Sequence, residues 1–337
     1  MKTVLFVDDE QSIRNSIERM YLERDDVRLL FAASGQAGLE ILEREEVWVV
    51  VSDYLMPEMR GIEFLSRART LRPETVRIMM TAYAELSIAI EAINKSEAYR
   101  FITKPWNNRE LESIVDEALL RYELVQSLKS ADEAVCLSLA QTVELKDPYT
   151  KGHCDRVASY AVSLARAAGM DERVIGDIRH GSWLHDCGKI GVPERVLNHT
   201  GKLSVHDFKT VMQHPRWGSE VARQARMSDT VINIILYHHE RYNGEGYPFG
   251  LKGGHIPIEA RIVTIADVFD ALYSDRPYRK AYDFDQTIGI MHEMTETHFD
   301  PQLMKLFLPI AGQARNNPPA QSVPVQAVED GTAHDRI

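Results

Sequence analysis

The stretch HDCGKIGVP, residues 185–193, sets a histidine beside an aspartate and follows them with a lysine. Neighbours on a helix point ~100° apart, so His185 and Asp186 can approach adjacent metals, with Asp186 bridging through its two oxygens. The pair alone is cheap, since His334-Asp335 forms another in the tail. Its weight comes from the company it keeps. HCDRV starts at His153, HPRWG at His214 and HHERYNGEGYP at His238-His239, while IADVFDAL carries Asp267. These residues suffice for two adjacent divalent metals, with positions left for water and a phosphate. The surrounding residues recur at helical spacing, as in Val157, Tyr160, Ala161, Leu164 and Ala165 before the stop at Gly169. An all-α bundle holding metals in its core is therefore expected over about 132–312.

Imidazoles mixed with carboxylates suit Fe, Mn, Zn, Co or Ni better than Ca or Mg. Two metals ~3.5–4 Å apart stabilise the attacking and leaving oxygens of an in-line displacement at phosphorus. An acidic chain that handles a phosphate ester also needs local cations, and Lys189 stands beside the pair.

Residues 1–106 have a different rhythm. Apolar runs at Val4–Val7, Arg28–Ala32, Val47–Ser52, Arg77–Thr81 and Arg100–Thr103 alternate with helical segments such as Ile13, Ile17, Met20 and Tyr21. That alternation predicts an α/β doubly wound domain with a five-stranded parallel sheet, whose ligands sit at the carboxyl ends of the strands. Asp8 and Asp9 close the first strand, Asp53 the third, Thr81 the fourth and Lys104 the fifth. Converging carboxylates of this kind suit Mg²⁺, and one of them can act as a nucleophile toward phosphorus.

From Asn107 to Pro148 the chain has neither Gly nor Pro. Leu111, Ile114, Val115, Ala118, Tyr122, Val125 and Leu128 recur near a heptad spacing, so residues 107–146 read as one long amphipathic helix. It either pairs with a second copy as a homodimer or packs only on its own domains. The 337 residues accommodate two domains, and a net charge of -11 argues against coating nucleic acid or an anionic membrane. Three cysteines without a CxxC, no signal-like start and no ~20-residue apolar span indicate a cytoplasmic protein. Cys154 and Cys187, which flank presumed ligands, are either oxidant-sensitive or small, buried and inert. Residues 313–337 are polar and Pro-rich and are expected to be disordered.

VDDE, SDYLMPEMRG, TAY and KPW resemble the receiver domain of response regulators, over essentially all of 1–106. The resemblance implies that Asp53 is the phosphoacceptor, with Asp8 and Asp9 on Mg. Thr81 and Lys104 would read the phosphoryl group, Phe101 would be the aromatic switch, and a sensor histidine kinase would be the partner. The second half is similar to the HD-GYP phosphodiesterases, which hydrolyse cyclic di-GMP: HDCGKIGVP fits HDxGK, and HHERYNGEGYP fits HHExxxGxGYP. By that likeness the metal ligands are His153, His185, Asp186, His214, His238, His239 and Asp267, holding two divalent metals, Fe or Mn first and Zn, Co or Ni as alternatives. Asp186 and Lys189 would be catalytic. Lys189, Tyr247, Arg276 and Arg279 would bind substrate, although relatives can carry lysine in place of Arg279. Asp147 and Asp270 would support the ligands from behind, and Thr150 is a weaker candidate for the same role.

One position departs from the pattern. Relatives thought to hold three metals carry glutamate four residues before the first histidine, where this chain has Tyr149. A phenol replaces a bridging carboxylate poorly, so a two-metal site is expected, which puts cleavage beyond pGpG in doubt. Glu144 lies too far along the helix to substitute directly. The reading is a two-component response regulator that hydrolyses cyclic di-GMP to pGpG, with onward cleavage to GMP left open, under control of Asp53. The alternatives are a phosphohydrolase for pGpG or a mixed cyclic dinucleotide, and a non-catalytic cyclic di-GMP sensor. The GYP loop is open to substrate contact, a structural role or contact with GGDEF-type proteins.

Overall fold

Strand residues such as Val4, Leu5, Phe6, Val49, Val50 and Val51 are apolar on both faces, the pattern of a parallel sheet covered on either side. In the computed structural model, which describes residues 1–82, 98–146, 152–199, 201–275 and 280–315, they form that sheet. The chain divides into two compact units, Met1–Ala131 and Asp132–Ile337. In the first, β1 (Lys2–Val7), β2 (Val27–Ala32), β3 (Val49–Asp53), β4 (Val76–Ala82) and β5 (Arg100–Lys104) are all parallel, in the order β2-β1-β3-β4-β5. The strand order reverses between β1 and β3, and in sheets of this kind ligands sit beyond the carboxyl ends at that point.

The helices α1 (Gln11–Met20), α2 (Gly35–Arg44) and α3 (Gly61–Leu71) cover the sheet. Ser34 starts α2 by accepting the Ala37 amide. Gly61 is required by a close approach: a Cβ there would lie 2.0 Å from the Asp53 carbonyl oxygen. The segment after β5 is a single helix, α4 (Asn108–Lys146). In the first unit it buries Leu111, Val115, Ala118 and Tyr122 against the sheet cluster. In the second it buries Cys136 and Ala140 with Cys154, Ala158, Trp183 and Leu184.

The second unit is helical throughout its described residues apart from turns and one isolated bridge. Its longer elements are α5 (His153–Ala167), α6 (Glu172–Leu184), α7 (Glu194–Leu197), α8 (Val205–Val211), α9 (His214–Gln224), α10 (Asp229–Tyr237), α11 (Ile258–Tyr273), α12 (Phe284–Glu293) and α13 (Pro301–Ala314). A 3₁₀ turn, Cys187–Gly191, joins α6 to α7. Val157, Ala161 and Leu164 of α5 meet Ile178 of α6, Ile262, Ile265 and Phe269 of α11, and Phe307 of α13 in one core. The Phe269 ring stands edge-on to Tyr160 at 5.0 Å and to Phe307 at 5.2 Å. Burying each such aromatic contributes ~1.5–3 kcal/mol, which makes this core the rigid support of whatever α5 and α11 carry.

Asp300 caps α13 through the Gln302 and Leu303 amides. The helix continues to Ala314, past the expected start of disorder at 313, because Ala311 and Ala314 are buried. Residues 316–337 lie outside the described residues. Among those described, no helix is long and apolar enough to cross a membrane.

Candidate metal centre

Every expected ligand except Asp267 stands at or just beyond a helix end. His153 opens α5, His185 caps the end of α6, His214 opens α9 and His238 caps the end of α10. The helical geometry expected for the adjacent pairs is therefore corrected, since the chain leaves α6 at His185 and enters the 3₁₀ turn at Asp186. Glycines make that turn possible. A Cβ on Gly188 would lie 1.9 Å from the His214 carbonyl oxygen, and one on Gly218 would lie 2.9 Å from the Cys187 sulfur. The turn and α9 thus touch backbone to backbone, which sets His214 beside Asp186.

Ligand atoms of Asp186, His214, His238 and His239 lie within 4.8 Å of one another, as do those of His153, His185 and Asp267. Asp186 joins the two groups. Its Oδ2 is 3.4 Å from His185 Nε2, and its Oδ1 is 3.3 Å from His214 Nε2 and 3.8 Å from His238 Nε2. Lys189 Nζ donates to Asp186 Oδ2 at 2.6 Å. His153 Nε2 is 3.2 Å from Asp267 Oδ1.

In four of the five histidines the other ring nitrogen is occupied. His185 Nδ1 donates to the Ser182 carbonyl at 2.7 Å, His214 Nδ1 to Val211 at 2.8 Å and His238 Nδ1 to Ile235 at 3.0 Å. His153 Nδ1 meets Asp270 Oδ2 at 2.7 Å. A carbonyl can only accept, so in His185, His214 and His238 the proton sits on Nδ1 and the Nε2 lone pair faces the centre, as metal-ligating histidines require. His185 Nε2 is buried without a hydrogen-bond partner. Such an atom is costly unless a cation takes its lone pair. The donor set fits two divalent metals.

Charge points the same way. Burial and the neighbouring His185 and His214 push His238 down to about 3, and burial and His238 hold His239 well below its usual range. Burial opposes ionisation of Asp186, but Lys189 and His185 outweigh it and hold the carboxyl well below the usual range. Burial likewise opposes charge on His153, yet Asp267 and Asp270 raise it to about 9. The centre thus combines ionised carboxylates and the neutral imidazoles of His238 and His239 with a His153 ring that keeps a proton between its two carboxylates, a proton that a bound metal would displace. The flanking thiols are pushed up by burial, Cys187 to about 12 and Cys154 further, which fits the inert reading.

Two residues without an assigned role prove structural to the site. Arg156, in the HCDRV stretch, donates through Nε to Asp270 Oδ1 at 2.6 Å and through Nη2 to Oδ2 at 3.0 Å, so Asp270 holds His153 and Arg156 together. Glu240, the acid of HHE, is buried and accepts the Phe249 amide at 2.8 Å and the Leu251 amide at 3.0 Å, anchoring the GYP loop. Their positions inside the quoted motifs were the available signal. The Tyr247 ring lies over His239 at 4.7 Å and 26°. Gly246 has no room for a side chain, because a Cβ would lie 2.3 Å from the Arg241 amide nitrogen. Gly246→Ala is expected to displace Tyr247 from His239, costing ~1–3 kcal/mol in chemical denaturation and lowering turnover. A variant with the wild-type denaturation midpoint and turnover would show that the loop yields freely. Arg276, Arg279, Asp147, Tyr149 and Thr150 lie outside the described residues.

In the first unit, ligand atoms of Asp8, Asp9 and Asp53 lie within 4.8 Å of one another. Lys104 Nζ reaches Asp8 Oδ2 at 2.8 Å and Asp53 Oδ1 at 2.6 Å. Burial raises the Asp53 carboxyl despite Lys104, and burial opposes but does not outweigh the two carboxylates that raise Lys104. Thr81 is buried at the end of β4, paired in register with Thr103. Phe101 is partly buried against the core cluster that includes Leu5 and Met79. Three carboxylates and one lysine fit a Mg²⁺ and a phosphoryl group.

The HD domain family matches residues 138–303, and the response regulator receiver domain family matches residues 4–116. The chain is 32% identical to the cyclic di-GMP phosphodiesterase response regulator RpfG of Xanthomonas campestris pv. campestris, covering 90% of this chain and 86% of that one. It is 30% identical to a cyclic di-GMP phosphodiesterase of Thermotoga maritima, covering 91% and 89%. A 3'3'-cGAMP-specific phosphodiesterase 3 of Vibrio cholerae is 35% identical over 50% of this chain and 37% of its own length.

Proposed function

The chain belongs to the cyclic di-GMP phosphodiesterase response regulators, in which a receiver domain precedes an HD domain, and on that premise we propose that it hydrolyses cyclic di-GMP to pGpG at a binuclear metal site. The observation that carries the reading is Asp186, whose two oxygens face the two groups of ligand atoms. One metal would be held by His153, His185 and Asp267, the other by His214, His238 and His239, with Asp186 shared. Fe or Mn suits this donor set, and the bound metals would activate water and offset charge at phosphorus. Lys189 adds a cation beside that charge, and its bond to Asp186 keeps it aimed there. Asp270 orients His153, while Tyr247 presents an aromatic face beside His239 to a nucleotide. Arg276 and Arg279 would take the second phosphate.

Product chromatography on protein loaded separately with Mn²⁺, Fe²⁺ and Zn²⁺ tests the reading. Metal-dependent formation of pGpG supports it, and absence of turnover with every metal overturns it. The ratio of pGpG to GMP tests the two-metal expectation that Tyr149 raised. Similarity to the 3'3'-cGAMP-specific enzyme supports a rival substrate, which the same assay resolves when both dinucleotides are offered.

A receiver domain takes its phosphoryl group from a phosphodonor such as a histidine kinase, and Asp53 is the proposed acceptor. Asp53→Asn is expected to take up no phosphoryl group from acetyl phosphate on a phosphate-affinity gel, and its turnover should ignore the donor. Uptake at the wild-type level would move the acceptor elsewhere. Leu120, Leu124, Leu128, Val135 and Leu139 are exposed along α4 and support pairing of that helix with a second copy. Contact of the GYP loop with a GGDEF-type protein is a further proposal, to which Phe249 would offer an exposed apolar surface.

A further inference from the structure

The last turn of α4 ends in Glu144-Leu145-Lys146, and its two charged side chains grip opposite parts of the ligand framework. Glu144 is buried. Its Oε2 accepts the Gly152 amide and its Oε1 the Cys154 amide, each at 2.9 Å. Those amides flank His153. Gly152 enters α5 in the left-handed region, at φ +71°, and caps the helix with no side chain of its own. Glu144 therefore supplies the acceptor that a serine or aspartate normally brings to a helix start.

Lys146 works at the other end of the site. Its Nζ donates to the Ile190 and Val192 carbonyls, both at 2.6 Å, where the Cys187–Gly191 turn closes. That turn carries Lys189. A carboxylate on the first amides of a helix and an ammonium on the carbonyls that close a turn each complement the dipole they meet. Between the two grips, Ala140, Val143 and Glu144 line one small cavity together with Cys154, Asp186, Cys187 and Lys189. The end of α4 is thus in register with both halves of the centre at once.

We propose that Glu144 and Lys146 are positioning residues of the hydrolytic centre, Glu144 holding His153 and Lys146 holding the turn of Asp186 and Lys189. Neither reaches the reaction directly, since their polar atoms are committed to backbone groups. The proposal rests on the hydrolytic reading above. It also makes the end of α4 a place where a small shift alters a metal ligand and a catalytic cation together.

Steady-state kinetics, metal competition against a chelator and thermal unfolding of the full chain test it, with Mn²⁺ and cyclic di-GMP as probes. Lys146→Met is expected to lower kcat about 10-fold or more at unchanged KM, bound metal and unfolding midpoint, with Lys146→Arg restoring most of it. Glu144→Gln keeps the shape but only one acceptor, and is expected to weaken Mn²⁺ binding about 10-fold, with kcat recovering at saturating metal. Wild-type kcat and metal affinity in both variants would overturn the proposal. So would losses that merely follow the folded fraction. If wild type and Asp186→Ala both fail to turn over substrate, the hydrolytic reading fails instead, and the metal affinity of Glu144→Gln still decides for or against the grip on His153.

Discussion

Asp186→Ala is expected to lower cyclic di-GMP turnover by well over about 100-fold, since loss of an outer supporting partner alone costs ~10–100-fold. The carboxylate lies within 4 Å of His185, His214 and His238 together, and it also holds Lys189. Alanine removes the carboxylate that faces both groups of candidate donors and breaks the bond that aims Lys189. The fold should persist, because the core of Val157, Ile178, Ile262, Phe269 and Phe307 does not depend on this side chain. Elemental analysis should find substoichiometric metal, and chromatography no pGpG, in a protein whose circular dichroism matches wild type. Full metal content with turnover within about 2-fold would show that Asp186 neither holds metal nor takes part in turnover.

Asp270→Ala is expected to cost about 3 kcal/mol of stability, the lower end for breaking a buried pair, because Arg156 keeps some exposure. Its carboxylate meets His153 Nδ1 at 2.7 Å and takes two bonds from Arg156. Removing it takes two bonds from the half-buried Arg156 guanidinium and frees the imidazole to rotate. Affinity at the His153 metal should therefore fall ~10–100-fold as well. The double variant Arg156→Met/Asp270→Ala separates the two effects. Removing both partners should recover part of the stability and none of the metal affinity. Chemical denaturation and metal titration on the four proteins give the cycle. If the double variant is no more stable than Asp270→Ala, the lost bonds to Arg156 are not the cost.

The seven candidate ligand positions were legible because metal chemistry restricts residue type, and the imidazoles and carboxylates that suit it cluster in quoted motifs rather than scattering. The parallel sheet was legible for a similar reason, since strands buried on both faces must be apolar throughout, as Val49, Val50 and Val51 are. Arg156 and Glu240 were harder. Both sit inside recognised motifs, yet a charged residue on a helix or loop reads equally well as a solvated surface group until its partner is known.

The residues by themselves determined the chemistry available to this chain: a carboxylate pocket at strand ends, a set of imidazoles and aspartates sufficient for two metals, and a lysine beside them. Only the tertiary structure decided how those groups are aimed. Ser182, Val211 and Ile235 orient histidines through backbone carbonyls, which every residue possesses and no sequence pattern marks. Glu144 and Lys146 bond backbone groups as far as 46 residues away, and such a pairing follows from the packing of α4, not from any local preference. Ligand identity is a property of side-chain type, whereas ligand direction is a property of the hydrogen bonds behind it, and those exist only once the chain has folded.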